Sequence, residues 1–413
     1  MTNFKKKLIT GIATGAILLN ALTPLAFADT TIEISENGSS SDNTANVNTE
    51  STTTVVQNNT ANVSNNVDAN ATTGGNDAND NTGGDVVIST GDADTSVDVS
   101  TAVNANQADV DQCNCDNDAD VLISGNGYNS DNDVKLKTSN DVSVFQDNTA
   151  KISNDIDANA KTGNNDANRN TGGDVLVFTG DAQSSVNVDN KANANIAKVG
   201  GNGDGSDMDL RIIGNGSNSD NDIRVEAHQS VLLVQNNDAY VYNNIDAKAK
   251  TGGNDANDNT GGDVIIDTGD AKAWVEVDNM VNFNAADVDC GCLSDVLAKI
   301  HGNGSNSDND IKAKIEKDLS AFQDNASDLY NYVDAEAKTG HNDAKRNTGP
   351  VDGIDPVEIL TGDSTSWTDV NNSGNVNIFG PSIDWWDFVD GLDLDFDFHF
   401  DLSLLLSLLH NAG

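Results

Sequence analysis

The sequence predicts an all-β fold, a right- or left-handed β-solenoid built from four repeats of about 89 residues and ended by a C-terminal capping segment. Three observations predict it: one block of sequence recurs at constant spacing, side chains alternate with a period of two, and no proline lies between Asp29 and Gly349. The repeats are expected at residues 37–125, 126–214, 215–302 and 303–378.

The recurring block is TGGNDANDNTGGDV, which begins at Thr73 and returns unaltered at Thr251. A close variant begins at Thr162 and a diverging copy at Thr339, so the steps are 89, 89 and 88 residues. A second marker, NGxxSDN, keeps the same register and begins at Asn37, Asn126, Asn215 and Asn303. An array of one reiterated unit favours a structural, adhesive or binding role over a single catalytic centre.

Alternate residues of each repeat form a row of small apolar and amide side chains, as from Val231 to Ala249. The second repeat keeps the same order, with Gln146, Asn148 and Asn154 in the row, while the intervening positions are mostly polar. A period of two held over about 20 residues is typical of a strand and not of a helix. Buried amides need hydrogen bonds, and stacked Asn and Gln ladders provide them, so we expect a narrow interior.

Glycine and proline positions support this fold. Thr82-Gly83 and Thr90-Gly91 separate short strands, and glycine supplies the positive φ that sharp corners need. The four prolines are Pro24, Pro350, Pro356 and Pro381. Because 89 residues is long for one coil, each repeat is expected to contain several coils of about 20 residues. A string of β-sandwich domains of about 100 residues is the alternative.

The first 28 residues have the pattern of a secretory signal peptide. Three lysines precede an apolar stretch, Leu8–Leu22, and the small-x-small sequence of residues 26–28 predicts cleavage before Asp29. An uncleaved membrane anchor is the alternative, but Asn20 and Pro24 interrupt the apolar run below the roughly 20 residues a span needs. We therefore expect residues 29–378 to form a secreted or cell-surface solenoid without a transmembrane span.

The charge is strongly acidic, with 66 Asp and Glu against 22 Lys and Arg and a formal net charge of −44. Such a charge excludes nucleic acid as a natural partner, because phosphate contacts need a basic surface. It favours cations as counter-ions, since self-repulsion of this size destabilises a compact state. An acidic surface that only keeps the protein soluble is the alternative.

Cysteines occur as two Cys-x-Cys pairs, in the first and third repeats: Cys113, Cys115, Cys290 and Cys292. Export to an oxidising space predicts disulfides. A bond within each pair would be strained, so a link to another copy or another chain stays open. Without histidine neighbours, the pairs are a weak signal for zinc.

The run Gln57-x-Asn59-x-Ala61-x-Val63-x-Asn65 resembles the Asn-x-Ala core of curlin repeats, the secreted subunits of bacterial amyloid fibres. The similarity covers less than a quarter of each repeat, and the Gln-x-Gly element of that family is absent. The resemblance implies stacked amide ladders and self-assembly.

The Gly- and Asp-rich block is also similar to calcium-binding β-roll repeats of secreted toxins and adhesins, although their nonapeptide does not recur in tandem. This resemblance implies calcium as the one cofactor, which takes six to eight oxygen ligands. The candidate ligands, on glycine-flanked turns, are Asp131, Asp133, Asp220, Asp222, Asp308 and Asp310. The alternative is that Asp and Asn merely favour turns there.

Residues 379–413 differ from the repeats because they are rich in aromatic residues and aspartate. From Leu392 to Leu404, apolar side chains alternate with mostly acidic ones, which predicts a two-faced strand. It either caps the open end of the solenoid or docks onto a neighbouring subunit or envelope component by edge addition. A short helix over Leu404–His410 is a further alternative.

No catalytic motif is present, and the five histidines fall at unrelated places: His228, His301, His341, His399 and His410. Paired acids such as Asp393 and Asp395 are expected from composition alone. We predict a non-enzymatic structural or adhesive component of a bacterial cell surface or extracellular matrix, self-assembling or bound to an envelope or matrix partner, and calcium-stabilised. A solenoid enzyme acting on extracellular polysaccharide is the alternative, and ice binding is disfavoured because the Thr-Gly corners form no Thr-x-Thr ladder.

Overall fold

A computed structural model describes residues 6–12, 17–22, 30–110, 119–200, 208–288, 296–349 and 357–380. These residues form β-strands joined by turns and bends, and no helix occurs among them. The described chain accordingly has no helical segment of the length and apolarity needed to cross a membrane. The prediction of an all-β fold is confirmed.

Two short strands come first, β1 (Lys6–Ile12) and β2 (Ile17–Leu22). Coil one holds β3 (Thr30–Ser35), β4 (Asp42–Thr72), β5 (Val86–Ser89) and β6 (Ala93–Val110). Coil two holds β7 (Ala119–Ser124), β8 (Asp131–Lys161), β9 (Val175–Thr179) and β10 (Ala182–Val199). Coil three holds β11 (Met208–Ile213), β12 (Asp220–Lys250), β13 (Val264–Thr268) and β14 (Ala271–Val288). Coil four holds β15 (Val296–His301), β16 (Asp308–Lys338), β17 (Val357–Thr361) and β18 (Ser364–Phe379).

Each strand of a coil pairs in parallel with the equivalent strand of the next coil, giving four sheets that run through the stack. Gln57 pairs with Gln146, and Gln146 with Gln235, at a separation of one repeat. One repeat therefore makes one coil, and the expectation of several coils of about 20 residues in each repeat is wrong. The reason is that the 31 residues of β8 contain no glycine or proline that would turn the chain back. The β-sandwich alternative is also excluded, because strands pair between repeats.

The coil is a flattened loop of two layers. The 31-residue strands form one layer, and the 18-residue and six-residue strands lie opposite them: Val67 packs in one cluster with Val97, and Val47 with Val121. At about 3.3 Å per residue a 31-residue strand is about 100 Å long, while four strands about 4.8 Å apart span less than about 20 Å. The molecule is thus a wide slab, two sheets thick and four strands high.

Glycines set both the corners and the spacing of the coils. Gly83 has a φ of +81°, as a corner requires, but Gly91 has no positive φ. The equivalent glycine of coil two, Gly180, shows why the residue is needed: a Cβ there would lie 2.6 Å from the carbonyl carbon of Gly91. Likewise a Cβ on Gly163 would lie 2.1 Å from the carbonyl oxygen of Gly252. Positive φ therefore explains the Thr82-Gly83 pair, whereas close approach of backbone to backbone explains the glycines equivalent to Gly91 and Gly163.

The N-terminal strands lie on the edge of coil one. Strands β1 and β2 both pair in parallel with β6, on the side opposite β10. Strand β4, in contrast, forms the open edge of its own sheet. The predicted cleavage site at residues 26–28 lies outside the described residues.

Candidate functional site: the amide ladders and the stacked charges

A column of four glutamines runs through the interior. Gln146 donates from Nε2 to Oε1 of Gln57 at 2.7 Å, Gln235 donates to Gln146 at 2.7 Å, and Gln323 to Gln235 at 2.7 Å. The same nitrogen of Gln146 also donates across the slab to the carbonyl oxygen of Ile196, at 2.9 Å. Because Gln146 is only 1% exposed, these bonds replace the water that the amide has lost.

Asparagines join the two layers. Asn148 donates from Nδ2 along the stack to Asn237 Oδ1, at 3.1 Å, and across the slab to Asn195 Oδ1, at 2.8 Å. Asn195 in turn donates to Asn237 at 3.0 Å. Asn148 and Asn154 are fully buried, and Gln146 is nearly so. The prediction that these amides point inward is confirmed. The interior is therefore a hydrogen-bonded network and not an aliphatic core alone.

The ladders have a direction. Asn65 donates to Asn154 at 2.7 Å, Asn154 to Asn243 at 2.7 Å, and Asn243 to Asn331 at 2.7 Å, so asparagines of this column donate towards coil four. The glutamines donate the opposite way, towards coil one. The stack is consequently polar, with distinguishable ends.

The repeated block TGGNDANDNTGGDV forms further ladders, which sequence reasoning missed. Asn165 donates to Asn254 Oδ1 from both its backbone nitrogen, at 3.2 Å, and its Nδ2, at 2.9 Å. Asn170 donates from its backbone nitrogen to Asn259 Oδ1 at 2.8 Å. Since each asparagine bonds to its own counterpart in the next coil, a change in one coil removes bonds to its neighbours. The near identity of the block between repeats was the signal of this self-pairing.

The first aspartate of each candidate calcium pair lies in one column. Asp131 pairs in register with Asp42 on one side and with Asp220 on the other. Burial, and then the neighbouring carboxylates of Asp133 and Asp220, raises the pKa of Asp131. This column concentrates negative charge at the start of the long strands, and a cation bound there would relieve repulsion between the carboxylates.

The second aspartate of each pair has a basic partner two residues further along the strand. Asp133 lies 3.0 Å from Lys135 Nζ, and Asp222 lies 2.9 Å from an Arg224 guanidinium nitrogen. Asp310 pairs with Lys312 in the same way. Within the residues that the structure describes, no group of three or more His, Cys, Asp and Glu side chains is arranged to hold a metal. The calcium site stays a prediction.

In two columns of the outer face, acidic residues alternate with uncharged ones from coil to coil. Asn58 pairs with Asp147, Asp147 with Asn236, and Asn236 with Asp324. A second column has the same alternation and consists of Thr52, Asp141, Ser230 and Asp318. Carboxylates directly stacked about 4.8 Å apart would repel, so the alternation lowers the cost of the acidic surface.

Charges also alternate along one column in the loops that join each 31-residue strand to the next short strand, such as the loop between β4 and β5. Arg169 of coil two binds Asp80 of coil one with both arms, at 2.7 Å and 3.0 Å, and Arg346 of coil four binds Asp258 of coil three at 2.5 Å and 2.8 Å. The hydrogen bond to arginine lowers the pKa of Asp80 and of Asp258. Odd coils carry aspartate and even coils arginine, so charge follows a period of two coils.

Several predicted features lie outside the described residues. They are the four cysteines Cys113, Cys115, Cys290 and Cys292, and the C-terminal segment 381–413 with Asp393 and Asp395. Their predicted roles as disulfides and as a cap or docking strand stay predictions.

The fold and the amide ladders define a class of protein: a flattened β-solenoid with one repeat per coil and a hydrogen-bonded amide interior. Comparison with known proteins adds no relative, since no family model, no curated protein and no solved structure matches the chain.

Proposed function

We propose that this protein is a secreted structural or adhesive component of a bacterial cell surface or extracellular matrix. The observation that carries the proposal is that the same amide interior recurs in every coil, from Gln57 to Gln323. A scaffold needs its properties in every unit, whereas an enzyme needs one unit to differ.

The hydrogen bonding supports a rigid, load-bearing role. Strands of up to 31 residues pair along their whole length with both neighbours in the middle coils. Amide ladders then tie the two layers together, as Asn148 does with Asn195 at 2.8 Å. Bending or shearing the slab would break many such bonds at once, which resists deformation.

The surface supports a place outside the cell in a medium that contains cations. The net charge of −44 prevents nonspecific clumping, and the coil-to-coil alternation of charge limits its cost to stability. Calcium at the Asp131 column is part of this proposal. Melting the protein with and without a chelator tests that part: calcium should raise the melting temperature, and an unchanged value removes calcium from the account.

A solenoid enzyme acting on polysaccharide is the second candidate. The strongest feature in its favour is the one histidine on a long described strand, His228, whose Nε2 lies 3.8 Å from Asp141 Oδ1 and whose Nδ1 lies 4.0 Å from Glu316 Oε2. A surface hollow of about 240 Å³ on the long strands does not favour an enzyme, because it is lined by equivalent residues of three successive coils: Val56, Phe145 and Val234. A reducing-sugar assay on wild type and His228→Ala decides: release of sugar that the substitution abolishes would favour the enzyme.

Localisation tests the structural proposal most simply. Antibody labelling of intact, unpermeabilised cells, together with fractionation into cytoplasm, cell surface, matrix and medium, should find the protein at the surface or in the matrix. A cytoplasmic protein of the same organism serves as the control for lysis. Recovery of the protein mainly in the cytoplasm, or free in the medium, would contradict the proposal.

A further inference from the structure

No described residue covers the inner face of coil four. Leu319 of β16 pairs with Val231 of β12, yet Leu319 is 53% exposed where Val231 is 4% exposed. Ile315 and its partner Ala227 differ in the same way, at 47% and 3%. In coils one to three the following coil covers these positions, so coil four presents the surface that a fifth coil would bury.

Coil one has a buried acceptor that the described chain leaves unpaired. Oδ1 of Asn65 is buried and accepts no hydrogen bond from any described residue, although Asn65 is only 4% exposed. In the next two coils the equivalent oxygens, of Asn154 and Asn243, each accept a bond from the preceding coil. The geometry of the ladder therefore directs the Asn65 oxygen towards a donor in a coil before coil one.

Coil four holds a matching donor. Asn154 and Asn243 each donate two bonds, one across the slab and one to the following coil. Asn331 donates across the slab to Asn372 at 3.2 Å and has no following coil in the described chain to receive its second hydrogen. A donor at one end and an acceptor at the other are the two halves of one ladder bond.

The charges of the two ends are complementary as well. Arg169 lies between two aspartates of its column, binding Asp80 and interacting electrostatically with Asp258. Arg346, the last member of the column, has Asp258 on one side only. Asp80, the first member, would supply the missing aspartate, so the order Asp, Arg, Asp, Arg would continue across the junction.

The two alternating columns of the outer face also continue across the junction. Coil four ends on acids, Asp318 and Asp324, where coil one begins with the uncharged Thr52 and Asn58. Because the described residues form four coils and the charge in these two columns has a period of two, adding coil one after coil four preserves their alternation. The columns that begin with Asp42 and Asp68 are aspartate in every coil and do not distinguish this junction from those within the chain.

We propose that the surface of coil four binds coil one of a second copy of this chain, head to tail and in register. Asn331 then donates to Asn65 of the next copy, and Arg346 pairs with Asp80 of the next copy. The inference rests on the proposed structural role and names its partner. The product is a polar filament in which sheets pass from copy to copy without interruption, and no unpaired edge remains except at the filament ends.

Engineered cysteines test the register. The exported form of the chain, with its four native cysteines changed to serine, carries Asn58→Cys and Asp324→Cys. Within one chain these positions are three coil steps apart, about 14 Å, which is beyond the Cα separation of about 4.4–6.8 Å that a disulfide permits. Across the proposed junction they are about 4.8 Å apart. Oxidation should therefore produce covalent dimers, trimers and longer species on a non-reducing gel.

Two control variants make the result decisive. Asn58→Cys with Asp147→Cys joins neighbouring coils of one chain and should lose its thiols while remaining a monomer. In the second control, Asn58→Cys with Asp318→Cys, the two cysteines are six residues out of register across the proposed junction, so oxidation should give no series of covalent multimers. The proposal would be overturned if the test variant stays monomeric with free thiols while the control with Asn58→Cys and Asp147→Cys forms its disulfide. Coil four would then be covered by something other than a second copy, for example by residues 381–413.

The cross-linking result, together with the localisation of the protein, distinguishes a failure of this inference from a failure of the proposed function. If the protein is at the cell surface and the test variant does not cross-link, head-to-tail stacking is wrong and the structural role stands. If the variant forms covalent ladders in vitro but the protein is cytoplasmic, stacking stands and the extracellular role is wrong.

Discussion

Gln146 donates a 2.7 Å hydrogen bond to Gln57, 89 residues earlier in the chain, at a place where neither side chain is more than 1% exposed. The bond links two coils through their interior, and it is repeated by Gln235 and Gln323. A buried amide column of this kind commits the chain to one register, because a shift by one residue would turn every amide outward.

Replacing one member of the column should destabilise the protein strongly. Gln146→Leu removes the hydrogen bonds that Gln146 makes with Gln57, Gln235 and the Ile196 carbonyl, at about 1–3 kcal/mol for each buried polar atom that loses its bond, so we expect a loss of about 2–5 kcal/mol. Thr149→Leu, on the outer face of the same strand, should change stability by less than about 0.5 kcal/mol. Urea denaturation measures both; equal effects would contradict an inward amide column.

Glycine at the start of the repeated block should be needed for contact between coils. Gly163→Ala places a Cβ 2.1 Å from the Gly252 carbonyl oxygen, at a φ of +97°. Gly84→Ala has a similar φ of +91° but meets nothing within 4 Å, so it should cost only the backbone strain of about 1–2 kcal/mol. Gly163→Ala should cost clearly more in urea denaturation. The close approach is not the reason for this glycine if the two variants lose the same stability.

Stacked carboxylates should make stability depend on pH. Burial, and then Asp166 and Asp343, raises the pKa of Asp255 above its ordinary value of 3.8, so its charged form opposes folding at neutral pH and the cost disappears as the pH falls through the folded pKa. Asp255→Asn should therefore raise the melting temperature at pH 7, with the gain shrinking towards pH 4.

The opposite sign is expected where arginine binds the carboxylate. Arg346 lowers the pKa of Asp258, so its charged form favours folding above its unfolded pKa, and the benefit is lost as the pH falls through the lowered folded pKa. Asp258→Asn should lower the melting temperature at pH 7 slightly, because the pair is exposed to solvent. Thermal melting of both variants from pH 7 to pH 3 measures these effects. If Asp255→Asn and Asp258→Asn change the melting temperature at pH 7 in the same direction, the opposite pKa shifts assigned to the two aspartates are wrong.

The N-terminal strands should delay assembly. Strands β1 and β2 occupy the edge of β6 to which β18 of another copy would add. A chain that retains residues 1–28 should show a longer lag in light scattering than the exported form. A chain in which those residues are replaced by a Gly/Ser-rich segment of equal length should behave like the exported form; if it lags as well, length and not pairing is the cause.

The inward row was predictable because alternation in a strand depends only on sequence. The row containing Gln146, Asn148 and Asn154 keeps one parity through each repeat, and parity fixes which side chains share a face. Hydrogen-bonding requirements then predicted ladders, since amides that leave water need partners. Neither step needed knowledge of how repeats meet.

The size of the coil was not predicted, although the sequence carries a signal for it. A period of 89 residues states how often the unit returns and not how the chain folds within it. The signal was the run from Asp131 to Lys161, which contains no glycine or proline. The alternating charges were missed for a related reason: columns such as Asp80 and Arg169 become visible only once the repeats are stacked in register.

A distance between coil one and coil four tests the central claim, that one repeat makes one coil. Nitroxide labels at Asn58→Cys and Asp324→Cys, in chains free of native cysteine and diluted with unlabelled protein, report that distance by pulsed electron paramagnetic resonance. Three coil steps predict Cα atoms about 14 Å apart. A separation above about 50 Å, as several coils in each repeat would give, would contradict the account.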